Sequence, residues 1–355
     1  MFSTIERSDW AQSLTSSLRR NALVIGLIAL HWLATVGITR AAGISYSNDA
    51  VNILMMLFGS VIPLFMFVLL VWRAVYMLRV VRPKRPSAWL IADVRSVLVD
   101  KDRMIGGAIT LVMLTVFFTN FSTMKAAIPA LHAYTWDPVF ARLDAALIGG
   151  FDPWTLLWPV LGDPSVLAVL NGAYVAWLFL VYFMVFVACF TRTNPAARTT
   201  FLVAFVLTWA IGGNLLATVF SSAGPAYYAV LGLGDRFSGL MANLHAADAV
   251  IPVASLKVQD MLWQGYVSGH SFSGISAMPS MHVASSALMM LYAFSYARLA
   301  GRLMAVFLTL IMLGSVVTGW HYAVDGYAGI AIAVVCWKLA ARLAAKPMPR
   351  QTAMA

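Results

Sequence analysis

Long apolar runs alternate with short polar segments along most of the chain. Eight of these runs are 17 to 25 residues long, and a helix needs roughly 20 apolar residues to cross the hydrocarbon core of a bilayer. The pattern therefore predicts an all-α, polytopic membrane protein with about eight transmembrane helices. We place them at residues 21–39, 51–72, 104–123, 166–190, 200–220, 282–300, 303–319 and 325–343, of which the seventh is the shortest.

The first apolar run has two interpretations. Arg7, Arg19 and Arg20 precede it, and a basic flank is also typical of a signal peptide. At 19 residues, however, the run is longer than a usual signal core, and no clear small-residue cleavage site follows it. We therefore interpret it as an uncleaved membrane anchor.

Composition supports the membrane class. Hydrophobic residues make up 61% of the 355 positions and charged residues 11%, whereas soluble domains average about 45–50% and about 25%. A soluble enzyme, a nucleic-acid-binding protein and a disordered scaffold are therefore not expected. The net charge of +10 does not indicate nucleic acid, because the basic residues lie between the apolar runs. The two cysteines lie inside such runs, where they give neither a disulfide framework nor a metal-site spacing.

The distribution of charge predicts the orientation. With the N-terminus in the cytoplasm, 19 of the 24 Lys and Arg residues fall on the inner side and 5 on the outer side, as the positive-inside rule requires. Nine of the 14 acidic residues fall outside. Removing one span would reverse every later loop and destroy this pattern. Both termini are thus predicted to be cytoplasmic and, because no eukaryotic sorting signal or glycosylation sequon stands out, the membrane is predicted to be a bacterial inner membrane.

The loops between the predicted helices have different expected roles. Prolines beside tryptophans in the outer loop 124–165 indicate short helices at the membrane interface. The outer loop 221–281 is long enough to be functional, although a solvated connector is equally consistent with it. The inner basic loop is expected to face lipid head groups. The predicted regions are two N-terminal helices with that loop (1–103), a six-helix catalytic core (104–343) and a cytoplasmic tail (344–355).

Two of the six histidines lie in contexts that favour catalysis. His282 lies two residues after Ser280 and three after Pro279, at the start of an apolar run. Ser280 can cap the helix there, and Pro279 prevents its extension backwards. The free N–H groups at such a helix end bind anions. By contrast, His31 lies inside the first span and is interpreted as a hydrogen-bonded interior residue.

His321 has a carboxylate partner four residues later. In a helix, His321 and Asp325 would share one face, and the carboxylate would fix the imidazole tautomer and leave the other nitrogen as a nucleophile or base. The predicted topology puts His282 and His321 on the same side of the membrane. Two imidazoles, a carboxylate and a helix N-terminus suit phosphoryl transfer. Hydrogen-bonded interfacial histidines and a Zn²⁺ site remain as alternatives.

The Pro279-Ser280-Met281-His282 and His321-Tyr322-x-x-Asp325 stretches resemble two signature motifs of the type 2 phosphatidic acid phosphatase superfamily, closest to its inositol phosphorylceramide synthase and sphingomyelin synthase branch. The resemblance implies a six-helix core over 104–343 that needs neither a metal nor another cofactor. It implies that His321 attacks phosphorus and forms a phosphohistidine, that Asp325 orients His321, and that His282 protonates the leaving alcohol.

Two cations of the family pattern are missing. Ser315 stands where the family usually has an arginine, and the expected Lys and Arg-Pro motif is replaced by the segment 224–228; Met281 also replaces a usual glycine. These departures favour a lipid phosphotransferase over a plain phosphatase. The candidate substrate-binding residues are Arg236, which ranks first because it follows that segment, then Lys257 and Lys125, together with Ser280, Tyr227 and Tyr228.

The expected function is that of an integral-membrane phosphatase or phosphoryl transferase for a lipid phosphoester, with its active site on the outer, periplasmic side. Head-group transfer between lipids without net hydrolysis is one alternative. A non-catalytic lipid transporter or scaffold is another, although we find no internal repeat of the kind that transporters show. The expected partners are the lipid substrate and the bilayer, not nucleic acid.

Overall fold

The computed structural model of the protein describes residues 4–44, 55–269 and 274–345, and within these ranges it is all-helical, as predicted. The first five helices are α1 (Thr4–Arg20), α2 (Ala22–Ala41), α3 (Ile62–Tyr76), α4 (Pro86–Leu98) and α5 (Lys101–Leu131). The next four are α6 (Asp137–Leu147), α7 (Pro153–Leu161), α8 (Pro164–Phe190) and α9 (Pro195–Leu207). The last five are α10 (Ser238–Asp248), α11 (Ala254–Val267), α12 (Met281–Phe294), α13 (Arg298–Val317) and α14 (Ala323–Ala344).

Two of the helices continue with wider, π-helical turns. Such turns flank α3 at Leu57–Val61 and Met77–Val81, and a longer stretch, Thr208–Leu216, follows α9 before a last α-helical turn at Ala217–Val219. A short 3₁₀ turn covers Pro225–Tyr227. π-Helical turns inside α-helices often occur at functional sites, and the stretch after α9 contributes to the cavity described below.

Seven helices in the described part of the chain are long and apolar enough to cross a membrane. They are Ala22–Ala41, Gly59–Val81, Lys101–Leu131, Pro164–Phe190, Pro195–Val219, Arg298–Val317 and Ala323–Ala344. The sixth predicted span, 282–300, is shorter than expected, because α12 has 14 residues and so measures about 21 Å at 1.5 Å per residue. The structure therefore confirms an all-α polytopic membrane protein and shortens one of its spans.

The boundary between α12 and α13 differs from the predicted one. The run 282–300 was expected to form one helix, but α12 ends at Phe294 and the backbone of Ala297 is extended, with φ −155° and ψ 139°. As a result α13 begins at Arg298 and reaches 20 residues. Arg298 and Arg302 lie in its first turns instead of in a loop, where long basic side chains can extend to the membrane surface.

Several helix starts follow from local sequence. The side chain of Asp163 accepts a hydrogen bond from the N–H of Ser165 at 2.9 Å, and that of Asn194 accepts one from Ala197 at 3.1 Å. In both cases proline follows at the first helical position, where its missing N–H costs nothing and its φ angle suits a helix. These caps fix where α8 and α9 begin.

Helix α9 lies at the centre of the bundle, and α3 lies at its edge. Phe201 and Phe205 of α9 are fully buried, whereas Phe67 and Trp72 of α3 are more than 60% exposed. Exposed apolar surface of this kind suits contact with lipid chains. His31 of α2 faces the π-helical stretch after α9, where its Nε2 lies 2.8 Å from Oδ1 of Asn214, so the expectation of a hydrogen-bonded interior histidine is confirmed.

The two long loops that were predicted to lie on the outer side contain four short helices. Helices α6 and α7 form in loop 124–165, as the prolines and tryptophans predicted, and α10 and α11 form in loop 221–281, where the sequence analysis predicted no helix. All four pack around the end of the bundle that carries His282 and His321. His270 and the predicted tail beyond residue 345 lie outside the described residues, and the division into three regions stays a prediction.

Candidate active site

A cavity of about 450 Å³ lies at this end of the bundle. Its walls come from α5, α8, the π-helical stretch after α9, α11 and the two histidine segments, and include Lys125, Asn171, Tyr174, Trp177, Trp209, Tyr227, Ser255, His282, Trp320 and His321. A second, more open depression lies near Gln12 and Asp100. It contains none of the predicted site residues, so the chemistry is sought in the first cavity.

The two predicted motifs meet at this cavity. The ring centroids of His282 and His321 are 6.2 Å apart, which is consistent with the prediction that both lie on one side of the membrane. The N–H of Ser280 donates to the backbone carbonyl of Asp325 at 3.0 Å. Gly329 allows this close approach, because a Cβ atom there would lie 2.6 Å from the carbonyl oxygen of Ser280.

Ser280 caps α12 and is fully buried. Its hydroxyl accepts a hydrogen bond from the N–H of Val283 at 3.4 Å, which is long for such a bond. His282 follows in the first turn of the helix, beside the N–H groups and partial positive charge that favour anions. Ser280 is not part of the cavity wall, so its position supports a structural role.

The contact between His321 and Asp325 is present, but it has a different origin from the one predicted. Helix α14 begins at Ala323, so the two residues do not share a helical face. Asp325 instead turns back and accepts a hydrogen bond from the N–H of Tyr322 at 3.0 Å as part of a capping box. This brings its Oδ2 atom within 3.4 Å of Nδ1 of His321. That distance gives a close electrostatic contact, while Nδ1 of His321 has no hydrogen-bond partner among the described residues. Nε2 of His321 is left available for chemistry.

His282 is held between aromatic rings of α8. The ring of Tyr174 stacks on the imidazole with a centroid distance of 4.4 Å, and Trp177 lies 4.0 Å from it on a tilted plane. The indole N–H of Trp177 donates to Ser285 at 3.0 Å, which fixes the indole in place. Sequence reasoning missed this enclosure. Its only signal was the three-residue spacing of Tyr174 and Trp177, which is also typical of ordinary core packing.

Two buried aspartates of α6 hold the segment around His321. Oδ1 of Asp137 accepts hydrogen bonds from the N–H of Gly224 at 2.8 Å and the hydroxyl of Tyr322 at 2.9 Å. The two oxygens of Asp144 accept the N–H groups of Ala323 and Val324 at 2.7 and 2.9 Å. Asp144 therefore caps α14 from another helix. The sequence analysis counted these aspartates among the outer acids but assigned them no role.

Burial decides the pKa values of both carboxyl groups. It raises the pKa of Asp144 to about 6, with a smaller contribution in the same direction from the nearby carboxylates of Asp325 and Asp152. It also raises the pKa of Asp137. The hydrogen bonds to each carboxylate act in the opposite direction but are outweighed by the loss of solvation.

Residues 224–228, which stand where the family has its basic motif, pack against the segment that carries His321. Gly224 has a φ of +99°, and a Cβ atom there would lie 2.4 Å from the carbonyl oxygen of Trp320. Tyr227 borders the cavity, but its hydroxyl donates to the carbonyl of Gln259 at 3.1 Å, and burial raises its pKa. Tyr228 packs against Phe237 and is absent from the cavity wall.

The three candidate cations occupy different surroundings. Arg236 forms a two-pronged ion pair with Asp152, whose shortest N–O distance is 2.6 Å, and it lies outside the cavity wall. Lys257 is exposed on α11, also outside the wall. Lys125 of α5 lies in the wall, and no hydrogen bond or ion pair joins it to the rest of the described chain. Arg236, which the sequence analysis ranked first, thus lies outside this cavity, whereas Lys125, which it ranked last of the three, lies in the wall.

Metal ligands were considered as an alternative role for the histidines. Within residues 4–44, 55–269 and 274–345, no group of three His, Cys, Asp or Glu side chains is placed to hold a metal ion.

Comparison with protein families finds one match. Residues 139–339, more than half of the chain, match the model of the family described as the PAP2 superfamily. The matched stretch runs from α6 into α14 and contains both histidine segments, whereas Lys125 and Asp137 lie before it. No curated protein and no solved structure matches the chain.

Proposed function

The chain belongs to the PAP2 superfamily, and from this premise we propose that it is an integral-membrane phosphatase or phosphoryl transferase that acts on a lipid phosphoester. The observation that carries the proposal is the meeting of His282 and His321 at one cavity, with their ring centroids 6.2 Å apart. Asp325 is fully buried and contacts His321 from outside the cavity wall. This arrangement offers a nucleophile, a group that orients it and a second group for proton transfer.

The proposed reaction has two steps. Nε2 of His321 attacks phosphorus, the ester P–O bond breaks, and protonated His282 gives its proton to the leaving oxygen. Water or an acceptor alcohol then attacks the phosphohistidine, the P–N bond breaks, and His282 takes the proton of the attacking hydroxyl. Asp325 steadies the positive charge that His321 acquires. The ammonium of Lys125 and the N-terminus of α12 stabilise the charge on the phosphoryl oxygens.

The other side of the cavity supports a lipid substrate. Val175 and Leu178 of α8 and Val258 of α11 line the cavity and are also between 40% and 62% exposed. Apolar side chains that touch both the cavity and the exterior suit an opening through which a lipid chain extends into the bilayer. The phosphate would then lie at the polar end, near the histidines.

Head-group transfer is the second candidate, and the charge of the cavity favours it. Lys125 is the only Lys or Arg among the described residues that line this cavity. A phosphomonoester carries about 1.5 to 2 negative charges at neutral pH, whereas a phosphodiester carries one. A single lysine therefore matches a phosphodiester, as in the inositol phosphorylceramide synthase and sphingomyelin synthase branch that the motifs resemble.

The first experiment tests the nucleophile. In purified protein reconstituted in liposomes, His321→Ala should lower turnover of phosphatidic acid or a phosphodiester lipid by roughly 10³-fold or more. Rapid quenching of the wild-type reaction with ³²P-labelled lipid should give an acid-labile protein label that this variant lacks. His245→Ala, on the exposed side of α10, is the matched control. Full activity of the His321 variant would overturn the mechanism.

Product analysis separates the candidate functions. Release of the free head group or phosphate without any acceptor lipid indicates hydrolysis, and a new lipid product that appears only with an acceptor alcohol indicates transfer. Substrate-dependent lipid movement that survives loss of His282 would instead support a transporter. With the site on the outer, periplasmic face, as proposed, right-side-out vesicles should turn over substrate added from outside, and inverted vesicles should not.

A further inference from the structure

Asn171 of α8 contributes an amide group to the cavity wall that the mechanism above does not use. Its Oδ1 atom accepts two hydrogen bonds from Ser255, one from the backbone N–H at 3.1 Å and one from the hydroxyl at 2.7 Å. Because a backbone N–H can only donate, the atom facing it must be the oxygen of the amide. The orientation of the amide is thus fixed by its partner.

The nitrogen of the same amide has no hydrogen-bond partner among the described residues, while the residue as a whole is only 8% exposed. This nitrogen is not among the fully buried atoms that lack a partner, so it keeps access to the cavity space. Since Ser255 holds the oxygen side of the amide and Asn171 lines the cavity, the NH₂ group is the part available to an occupant. The wall therefore presents a fixed donor to whatever binds there.

The position along α8 relates this donor to the reacting groups. Asn171 precedes Tyr174 by one helical turn, and Tyr174 stacks on His282. Three residues correspond to about 4.5 Å along the helix, in the direction of its outer end. Lys125 lies in another wall of the same cavity and has no carboxylate partner there. Lys125 and the Asn171 nitrogen are both donors, so they suit a ligand that is rich in acceptor oxygens.

We propose that the amide of Asn171 donates a hydrogen bond to an oxygen of the bound substrate, either a phosphoryl oxygen or an oxygen of the adjoining head group. The inference rests on the proposed function and adds a binding residue to it. Together with Lys125, Asn171 would replace two cations of the family pattern by one charge and one neutral donor. It binds substrate and takes no part in proton transfer.

The decisive variant is Asn171→Asp, which has nearly the same shape. Its carboxylate keeps an oxygen for Ser255 and replaces the donor by a second oxygen, which repels an anionic substrate. We expect KM for the lipid phosphoester to rise at least about tenfold, with a smaller change in kcat. Asn171→Ala, which introduces no buried charge, should raise KM less and serves if the first variant does not fold. Asn243→Asp on α10, outside the cavity wall, controls for added charge.

A second measurement locates the oxygen that is bound. Inorganic phosphate binding is followed by the fluorescence of the cavity tryptophans in wild type and Asn171→Asp. Weaker phosphate binding by the variant assigns the bond to a phosphoryl oxygen, and unchanged phosphate binding with a raised lipid KM assigns it to the head group. If the wild type is active, and both KM and phosphate binding are unchanged in the two Asn171 variants, the inference about Asn171 is wrong. The proposed function is not affected by that result.

The same measurement separates this inference from the proposed function. A wild type that binds phosphate but turns over no lipid phosphoester contradicts the function, and the inference then stands if Asn171→Asp weakens that binding. A wild type that neither binds phosphate nor turns over lipid overturns both.

Discussion

The two sides of the cavity differ in the partners of their polar groups. On the His321 side, Asp137, Asp144 and Asp325 accept main-chain N–H groups at 2.7 to 3.1 Å and hold the loop from several directions. On the opposite side, Lys125 and the Asn171 nitrogen have no partner in the described chain, and the hydroxyl of Tyr174 is buried without one. The main chain of the His321 loop is thus held by carboxylates, while Nδ1 of His321, Oδ1 of Asp325 and Nε1 of Trp320 are buried without a hydrogen-bond partner in the part of the chain that the structure describes. The opposite side presents donors to the cavity.

This difference assigns separate tasks to the two sides. Catalysis by fixed groups requires side chains that do not reorganise during the reaction, and the hydrogen bonds around the His321 loop provide that support. Substrate binding requires groups whose best partner is the substrate itself, because buried donors gain most when an acceptor arrives. We therefore expect changes on the donor side to affect binding, and changes on the His321 side to affect stability and positioning.

The largest effect in this comparison is expected at Lys125. Lys125→Met keeps most of the side-chain volume but removes the charge, and a charge-assisted hydrogen bond contributes about 1.5–3 kcal/mol, so kcat/KM should fall roughly 10- to 150-fold. Steady-state kinetics in liposomes measure this. Lys257→Met, on the exposed surface of α11, is the matched control, and equal losses in the two variants would show that the cavity lysine has no special role.

A smaller effect, on stability, is expected at Asp144. Because the pKa of Asp144 is raised to about 6, the folded protein binds more protons than the unfolded chain between about pH 4 and pH 6. The contribution of Asp144 to stability therefore decreases as pH rises through this window. Asp144→Asn lacks this titration, so its Tm relative to wild type should increase by a few degrees between pH 4 and pH 6 in thermal unfolding in detergent. A constant difference across that range would refute the assignment.

The smallest effect is expected at Arg236. Its guanidinium is about 30% exposed and pairs with Asp152 outside the cavity, and such surface pairs contribute about 0–1 kcal/mol. Arg236→Gln should therefore change kcat/KM less than about threefold. A loss of kcat/KM as large as that of the Lys125 variant would contradict this expectation. It would show that Arg236 binds substrate, as the sequence analysis ranked it, and that the binding site lies nearer to α10.

Much of the architecture was predictable because membrane helices leave strong signals in sequence. Apolar length predicted the spans, and the distribution of basic residues predicted the sides of the loops. The shortness of α12 was not predictable from hydropathy, because the turn at 295–297 is flanked by residues apolar enough to hide it. Helices α10 and α11 were also missed, since their mixed polar composition resembles that of a loop.

The candidate site was predictable only in part. His282, His321 and Asp325 stand in recognisable segments, so sequence could nominate them. Tyr174, Trp177 and Asn171 lie in an apolar span whose lipid-facing and cavity-facing positions look alike until the helix is packed. Asp137 and Asp144, seven residues apart on α6, act through backbone N–H groups more than 80 positions later in the chain, and backbone groups carry no sequence signal.

The sequence by itself determined that this is a helical membrane protein of the PAP2 superfamily with two histidine segments on one side, because hydrophobic length, charge asymmetry and short motifs are local properties of a chain. The tertiary structure decided which lysine reaches the cavity, how Asp325 comes to face His321, and which buried aspartates hold that loop. These depend on distances between segments remote in sequence, and those distances are set by how the helices pack against one another.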